Sequence, residues 1–359
     1  MEVNVKNYWY WLVSVSDMWF DKIRKLMEIF DNPKDVFFAS EKELLQTGVL
    51  NIEDVAKIMA SKEVNLDEKL KELEDKGIKF TCYGEVDYPD KLKKYEDKPY
   101  VLFYKGDLPK NNKSVAIIGS RSCSSYGREI SENIAKELGK VGVDVISGMA
   151  RGIDSYAHIG CIKGGGSTYA VLGSGVDVCY PRENIGLYTD IVTAGGVISE
   201  YLPGDEALAW HFPYRNRIIS MLSDVILVVE AKEKSGTWIT VDYALEYGKD
   251  VFAVPGRVTD VLSGGCNKLI KNGAFPYTEI NDLMEHLGVK KNKKIIKNKF
   301  LLEKDFEVVY SLLCLYPVGV EEIVQKTDMD IGKVYEILIK LQIDGAIEEV
   351  YSGHYIKKL

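Results

Sequence analysis

Val115-Ala116-Ile117-Ile118-Gly119-Ser120-Arg121-Ser122-Cys123-Ser124-Ser125-Tyr126-Gly127 is the stretch whose reading decides the fold. Four apolar residues run without alternation, small residues then turn the chain, and Ile130, Ile134, Leu138 and Val141 mark one helix face. A strand apolar on both faces that feeds a helix opens a βαβ unit, because a parallel sheet is covered on both sides. Short β-rich runs at 143–146, 169–172, 197–198, 225–229 and 251–254 repeat the pattern, each bounded by Gly, Ser, Asp or Pro. Residues 113–288 also hold 23 of the chain's 31 glycines. Such alternation predicts an α/β fold with an extended, Rossmann-like, doubly wound parallel sheet.

Around that centre the 359 residues divide further. Residues 1–80 read as a small helical domain, with Trp11, Leu12, Trp19, Ile23, Leu26, Met27 and Phe30 near helical spacing and Gly48 as a C-cap. A plain bundle is one reading; a helix-hairpin-helix (SAM-like) DNA contact is the sharper alternative. Residues 81–112 are a connecting segment of short strands and turns. A lysine-rich linker spans 289–300, and 301–359 give three helices and a hairpin-like tail, the order of a winged helix. Its third helix carries Lys333 and Lys340 against Glu336, poor equipment for a major groove. A docking or regulatory module is the expectation there.

Composition sets limits. At 46% hydrophobic residues the chain can bury a sizeable core. No apolar run reaches the roughly 18 residues of a membrane span, and the N-terminus lacks the pattern of a secretory signal. The six cysteines (Cys82, Cys123, Cys161, Cys179, Cys266, Cys314) form no C-x-x-C and no zinc spacing with histidine, so they read as buried hydrophobes in a reducing cytoplasm. Neither metal nor cofactor is expected. A net charge of -8 argues against a protein that coats nucleic acid non-specifically, so any such binding needs a local basic groove.

In an open α/β sheet, ligands bind where strand ends lead into helix starts. After the first strand, Gly119, Ser120, Ser122 and Ser125 supply small residues and Arg121 a phosphate-matched fork. The segment matches neither G-x-G-x-x-G nor G-x-x-x-x-G-K-[ST]. The second loop brings Gly148, Arg151, Gly152 and Asp154; His158 follows and reads as a hydrogen-bonded helix residue rather than a general base. The third brings Arg182 and Asn184 after Tyr180-Pro181. Later, Phe212 precedes Arg215, Asn216 and Arg217, beside Trp210. Rings that stack bases next to guanidinium groups that hold phosphates are what single strands need. The alternative is that Arg215 and Arg217 pair with buried acids such as Glu200 or Glu230. Over 110–288 there are 17 lysines and arginines against 21 acidic residues, and five of the 17 are arginines expected on one rim. No facing carboxylates, Ser/His/Asp order or metal cluster emerges, so no catalytic residue is assigned.

In this order the motifs resemble the DprA/Smf family (DNA processing protein A): Val115 to Arg121, Ser147-Gly148, Arg151-Gly152-Ile153-Asp154, Gly173-Ser174-Gly175, Tyr180-Pro181, Phe212-Pro213, Arg215-Asn216-Arg217 and Pro255-Gly256. The resemblance covers about 110–280. It implies binding of single-stranded DNA without nucleotide hydrolysis, homodimerisation, and loading of the recombinase RecA during natural transformation. By resemblance, phosphates meet Gly119, Ser120, Arg121 and Arg182, a base stacks near Phe212, and the helix with Leu269 and Ile270 forms the dimer surface; a plain core helix is the alternative reading of that last stretch. One departure stands out: family members often carry a lysine shortly before Phe-Pro, where this chain has Ala207-Leu208-Ala209-Trp210-His211. Stacking by Trp210 is a candidate compensation. The alternative function is a Rossmann-like nucleotide-processing enzyme of the phosphoribohydrolase type, whose Pro-Gly-Gly-x-Gly-Thr signature is missing because Pro255-Gly256 leads into Arg257.

Overall fold

The structure is a computed structural model that describes residues 5–16, 18–289, 304–314 and 317–357. The expected lysine-rich linker lies outside them from residue 290 onward. Two compact units are present, 1–291 and 292–359.

The first unit opens with six helices, α1 to α6: Val5–Ser14, Phe20–Met27, Pro33–Phe38, Glu41–Gln46, Ile52–Ser61 and Leu66–Asp75. Two start with capping boxes. Ser40 and Glu43 at α4, and Asn51 and Asp54 at α5, exchange side-chain and backbone bonds that satisfy otherwise orphaned N–H groups. Strand β1 (Lys79–Cys82), the short α7 (Asp90–Lys93) and β2 (Val101–Gly106) follow. The alternation then begins: β3 (Ser114–Ile118), α8 (Ser125–Lys140), β4 (Asp144–Ser147), α9 (Ile153–Lys163), β5 (Thr168–Val171), α10 (Ile185–Ala194) and β6 (Gly196–Ser199). It continues with α11 (His211–Leu222), β7 (Val225–Val228), α12 (Thr237–Glu246), β8 (Asp250–Ala253), α13 (Gly264–Lys271), β9 (Phe275–Pro276) and α14 (Ile280–His286).

The sheet order is β1-β2-β6-β5-β4-β3-β7-β8-β9. From β3 to β9 neighbouring strands are parallel, and β3, β4, β5 and β7 are buried throughout, as their unbroken apolar runs require. The chain steps outward from β3 through β4 and β5 to β6, then returns to the other side of β3 for β7, β8 and β9. That reversal places the topological switch point between β3 and β7.

Two features depart from expectation. β1, which straddles the expected boundary at residue 80, and β2 from the connecting segment extend the sheet: β2 pairs antiparallel with β6, Phe103 opposite Ser199, and β1 pairs antiparallel with β2. The N-terminal helices, expected as a domain of their own, share a core with the sheet: Trp11, Leu12, Leu26 and Leu44 belong to the same buried cluster as Val101, Phe103, Ala170 and Leu172. Both pairings are distant in sequence, so local patterning could not reveal them.

At the amino end of the sheet, Asp144 is buried. Its Oδ1 accepts from Asn112 Nδ2 at 3.2 Å and its Oδ2 has no partner. Burial pushes the carboxyl up to about 6. The unfolded chain loses this proton near pH 4. The fold therefore loses stability as pH rises from about 4 to 6 and keeps that penalty above. Replacing Asp144 with Asn removes the penalty. The melting-temperature difference, variant minus parent, should grow from near zero at pH 4 to a positive plateau above pH 6. A variant less stable than the parent at pH 7.5 would contradict this.

The second unit comprises α15 (Lys304–Leu312), β10 (Val318–Gly319), α16 (Val320–Thr327), α17 (Ile331–Ile343), β11 (Ile347–Tyr351) and β12 (His354–Lys357). Its three strands form an antiparallel sheet in the order β10-β12-β11, around a core that includes Val309, Ile323 and Leu338. Among the described residues, no helix is long and apolar enough to cross a membrane.

Candidate nucleic-acid interface

A pocket of about 420 Å³ lies at the switch point. Its wall comes from the turn after β3 (Gly119, Ser120, Arg121, Ser122), from Ala150 and Asp154 beyond β4, from the start of α11, and from Lys232 and Ser235-Gly236-Thr237 beyond β7. The turn after β3 is pinned from two sides. Ser120 N–H donates to the Glu230 carbonyl at 2.8 Å, and Ile153 N–H donates to the Ser120 carbonyl at 3.2 Å. The second contact depends on Gly152, which has φ +74°; a Cβ there would stand 2.3 Å from the Ser120 oxygen. The backbone of Arg121 is thus fixed while its side chain projects into solvent. Arg121 has no ion-pair partner among the described residues, and its guanidinium lies 5.6 Å from the Phe212 ring centroid. Phe212 is half-buried, and Tyr180 packs beside it at 5.3 Å.

The start of α8 already holds an anion of the chain's own. The Glu230 carboxylate accepts from Ser124 N–H at 2.9 Å and from the Ser124 hydroxyl. It lies so close to Gly127 that a Cβ there would come within 2.3 Å of Oε2. An internal carboxylate satisfies the positive end of the helix. Ser125 accordingly lines a separate groove with Tyr126 and the 255–263 loop, not the switch-point pocket.

Other expected contacts turn out to be structural. Arg217 is 1% exposed and grips Glu200 in a fork, Nη1 to Oε1 at 2.9 Å and Nη2 to Oε2 at 2.5 Å. No phosphate can reach it. Arg215 is 4% exposed; it donates to the Gly148 carbonyl at 3.2 Å and to the Val171 carbonyl, tying the ends of β4 and β5 together. Desolvation pulls its pKa down to about 10. It forms the pocket's floor rather than a hand held out to a ligand. Gly148 is buried, and its N–H donates to Asp154 Oδ2 at 3.1 Å. Asn184 spends its amide on the Met149 carbonyl and Ser155 Oγ, at 3.0 and 2.9 Å, bracing one loop against another. Arg151 is exposed but ion-paired with Glu183, outside the pocket. Arg182 is exposed on the same rim, and Asn216 lines the pocket. His158 is fully buried, bonded through Nδ1 to Thr168 Oγ1 at 2.7 Å, and burial drives its pKa down to about 3. It has the place of a core histidine.

Leu269 is 5% exposed and belongs to the core cluster, with Ile270 packed against it. Leu269 therefore faces the core, while the half-buried Ile270 keeps part of its side chain at the surface of α13. Conversely, Lys232 and the Ser235–Thr237 turn were not assigned to the site from the sequence. The signal was present: β7 lies next to β3 at the switch point, so the loop after it must line the crevice.

Fold and pocket define a Rossmann-like protein whose switch-point crevice sets an exposed arginine beside an aromatic ring and carries a lysine on its wall. Residues 79–288 match the model of the DNA recombination-mediator protein A family, and the chain belongs to that family. It is 44% identical over 210 residues to DNA processing protein DprA of Streptococcus pneumoniae, covering 57% of this chain and 74% of that protein. To Protein Smf of Escherichia coli it is 30% identical over 357 residues, 96% and 94% of the two chains. The X-ray structure of the Streptococcus pneumoniae protein superimposes with a TM-score of 0.69 at 34% identity, over 79% of this chain and 98% of that one. DNA processing protein A from Helicobacter pylori, whose structure describes a single-stranded DNA binding mode, gives 0.52 at 28% identity, over 58% and 95%.

Proposed function

We propose that this chain binds single-stranded DNA in the switch-point pocket and acts as a recombination mediator in the cytoplasm, passing the strand to RecA, without chemistry of its own. The observation that carries it is Arg121, exposed next to the half-buried Phe212 ring and without an ion pair among the described residues. A guanidinium beside a ring holds phosphate while a base stacks, which a paired duplex base cannot do. Lys232 adds a second cation on the facing wall, and the first N–H groups of α12 point their dipole at the same crevice. Family membership and the strand-binding relative from Helicobacter pylori support the same reading. Homodimerisation is part of the proposal, with the partly exposed Ile270 side of α13 as its candidate surface.

The second unit is read as a winged helix that docks protein rather than DNA. Along α17, Ile331, Tyr335, Ile339 and Ile343 are exposed at a spacing of four, while Lys333 pairs with Asp305 and Lys340 with Glu336.

Oligo-dT should bind more tightly than a blunt duplex of equal length, and its affinity should fall steeply with salt as phosphate counterions are released. Fluorescence anisotropy across a salt series measures both. Equal or tighter binding to the duplex would defeat the proposal.

A further inference from the structure

A second pocket, of about 390 Å³, lies on the other side of the start of α11, between α11 and the N-terminal helices. Trp19 and Trp210 stand at it, 50% and 47% exposed, with ring centroids 4.9 Å apart at 76°. Two large aromatic rings held half in water are a poor use of apolar area unless something covers them. Behind them Phe20 and Tyr100 stack at 5.9 Å and 27°. The pocket also presents carboxylates. Asp205 Oδ2 accepts the Leu202 N–H at 3.0 Å, and its other oxygen has no hydrogen-bond donor among the described residues; Glu200 is occupied by Arg217. Aromatic walls with an acidic lining repel phosphate and suit a flat neutral group that donates hydrogen bonds. The two pockets share one short wall: Phe212 and Pro213 line the first, Trp210 and Tyr214 the second.

We propose that this second pocket takes a nucleobase of the bound strand, one that carries an exocyclic amino group, next to the base that stacks at Phe212. The proposal rests on the single-strand reading above and adds a base preference to it. The sugar-phosphate chain stays on the side of Arg121 and Lys232, and the base turns in across the first turn of α11. Its face lies against the tryptophan pair, and its amino group donates to Asp205, the pairing by which acidic side chains read cytosine N4.

The test compares oligo-dT with the same oligonucleotide carrying one central cytidine, by tryptophan quenching and anisotropy. The parent should bind the cytidine-bearing strand more tightly, with strong quenching. Trp19→Ala should weaken that binding about tenfold, within the span for loss of one base stack, and remove much of the quenching. Trp19→Phe should restore most of the affinity, since a smaller ring still stacks. Asp205→Asn keeps an oxygen for Leu202 and should erase the preference for cytidine over thymidine. If Trp19→Ala and Asp205→Asn bind both strands as the parent does, while Arg121→Ala does not, the base pocket is wrong and the rim site stands. If the parent binds neither strand, both fall.

Discussion

Arg121→Ala should weaken oligo-dT binding about tenfold to hundredfold while leaving the melting temperature unchanged. The side chain projects from a pinned turn and makes no ion pair among the described residues, so its removal costs the fold little. To a phosphate it offers a charge-assisted, bidentate contact in a crevice already shielded by Phe212. Loss of such a contact is worth about 1.5–3 kcal/mol, which is that range in affinity. Because phosphate carries no sequence information, the loss should be alike for every base composition, and the salt slope should become shallower. Arg121→Lys should recover only part, since a point charge cannot fork. Lys293→Ala with Lys294→Ala, in the stretch outside the described residues, serves as control and should matter much less. If the Arg121 variant binds like the parent and the linker variant does not, the switch-point pocket is not the DNA site.

That Arg121 could be singled out from sequence follows from where it stands. A fully buried parallel strand announces itself as an unbroken apolar run, and the residue beyond its carboxyl end must sit on the rim. Arg215 and Arg217 were harder. Both follow the pocket's Phe212 by a few residues, and both look like rim cations in a one-dimensional list. Their fate depends on which way a helix turn faces and on acids or carbonyls far along the chain: Glu200 for Arg217, Gly148 and Val171 for Arg215. The pairing with Glu200 could be named from sequence as an alternative but not chosen. Asn184 and Gly152 were legible as special without their purpose being legible: Gly152 lets the chain close on the turn that presents Arg121, and Asn184 braces its own loop against Met149 and Ser155. Lys232 carries no local mark of a site, since its place in the pocket comes from strand order alone: β7 lies beside β3. The N-terminal helices read correctly as helices, but their burial against β2 and β5 is a tertiary fact with no local sign.

Arg217→Ala should destabilise the protein more than any other substitution considered, by about 3–5 kcal/mol, since breaking a buried pair leaves its partner charged and dry. Burial raises the Glu200 carboxyl pKa and the guanidinium opposes that rise, so without Arg217 the acid must take up a proton or draw in water. The guanidinium also lies 4.0 Å from the Tyr214 ring centroid and 5.0 Å from that of Phe20, contacts that alanine forfeits. A drop in melting temperature on the order of 10 °C is expected for a unit of this size. Weaker DNA binding from a loosened framework and from a lost phosphate contact look alike, so the single variant cannot tell a phosphate contact from a structural pair. The double variant Arg217→Met with Glu200→Met can. Removing both charges together removes the stranded acid, and a thioether packs well against Tyr214 and Phe20. Stability should return to within about 1–2 kcal/mol of the parent, and oligo-dT affinity with it. A double variant that is folded, as judged by a cooperative thermal transition, yet binds oligo-dT as weakly as Arg121→Ala would return Arg217 to the DNA site. Recovery of both properties together would place the Arg217–Glu200 pair in the framework that presents Arg121, with the strand itself never touching it.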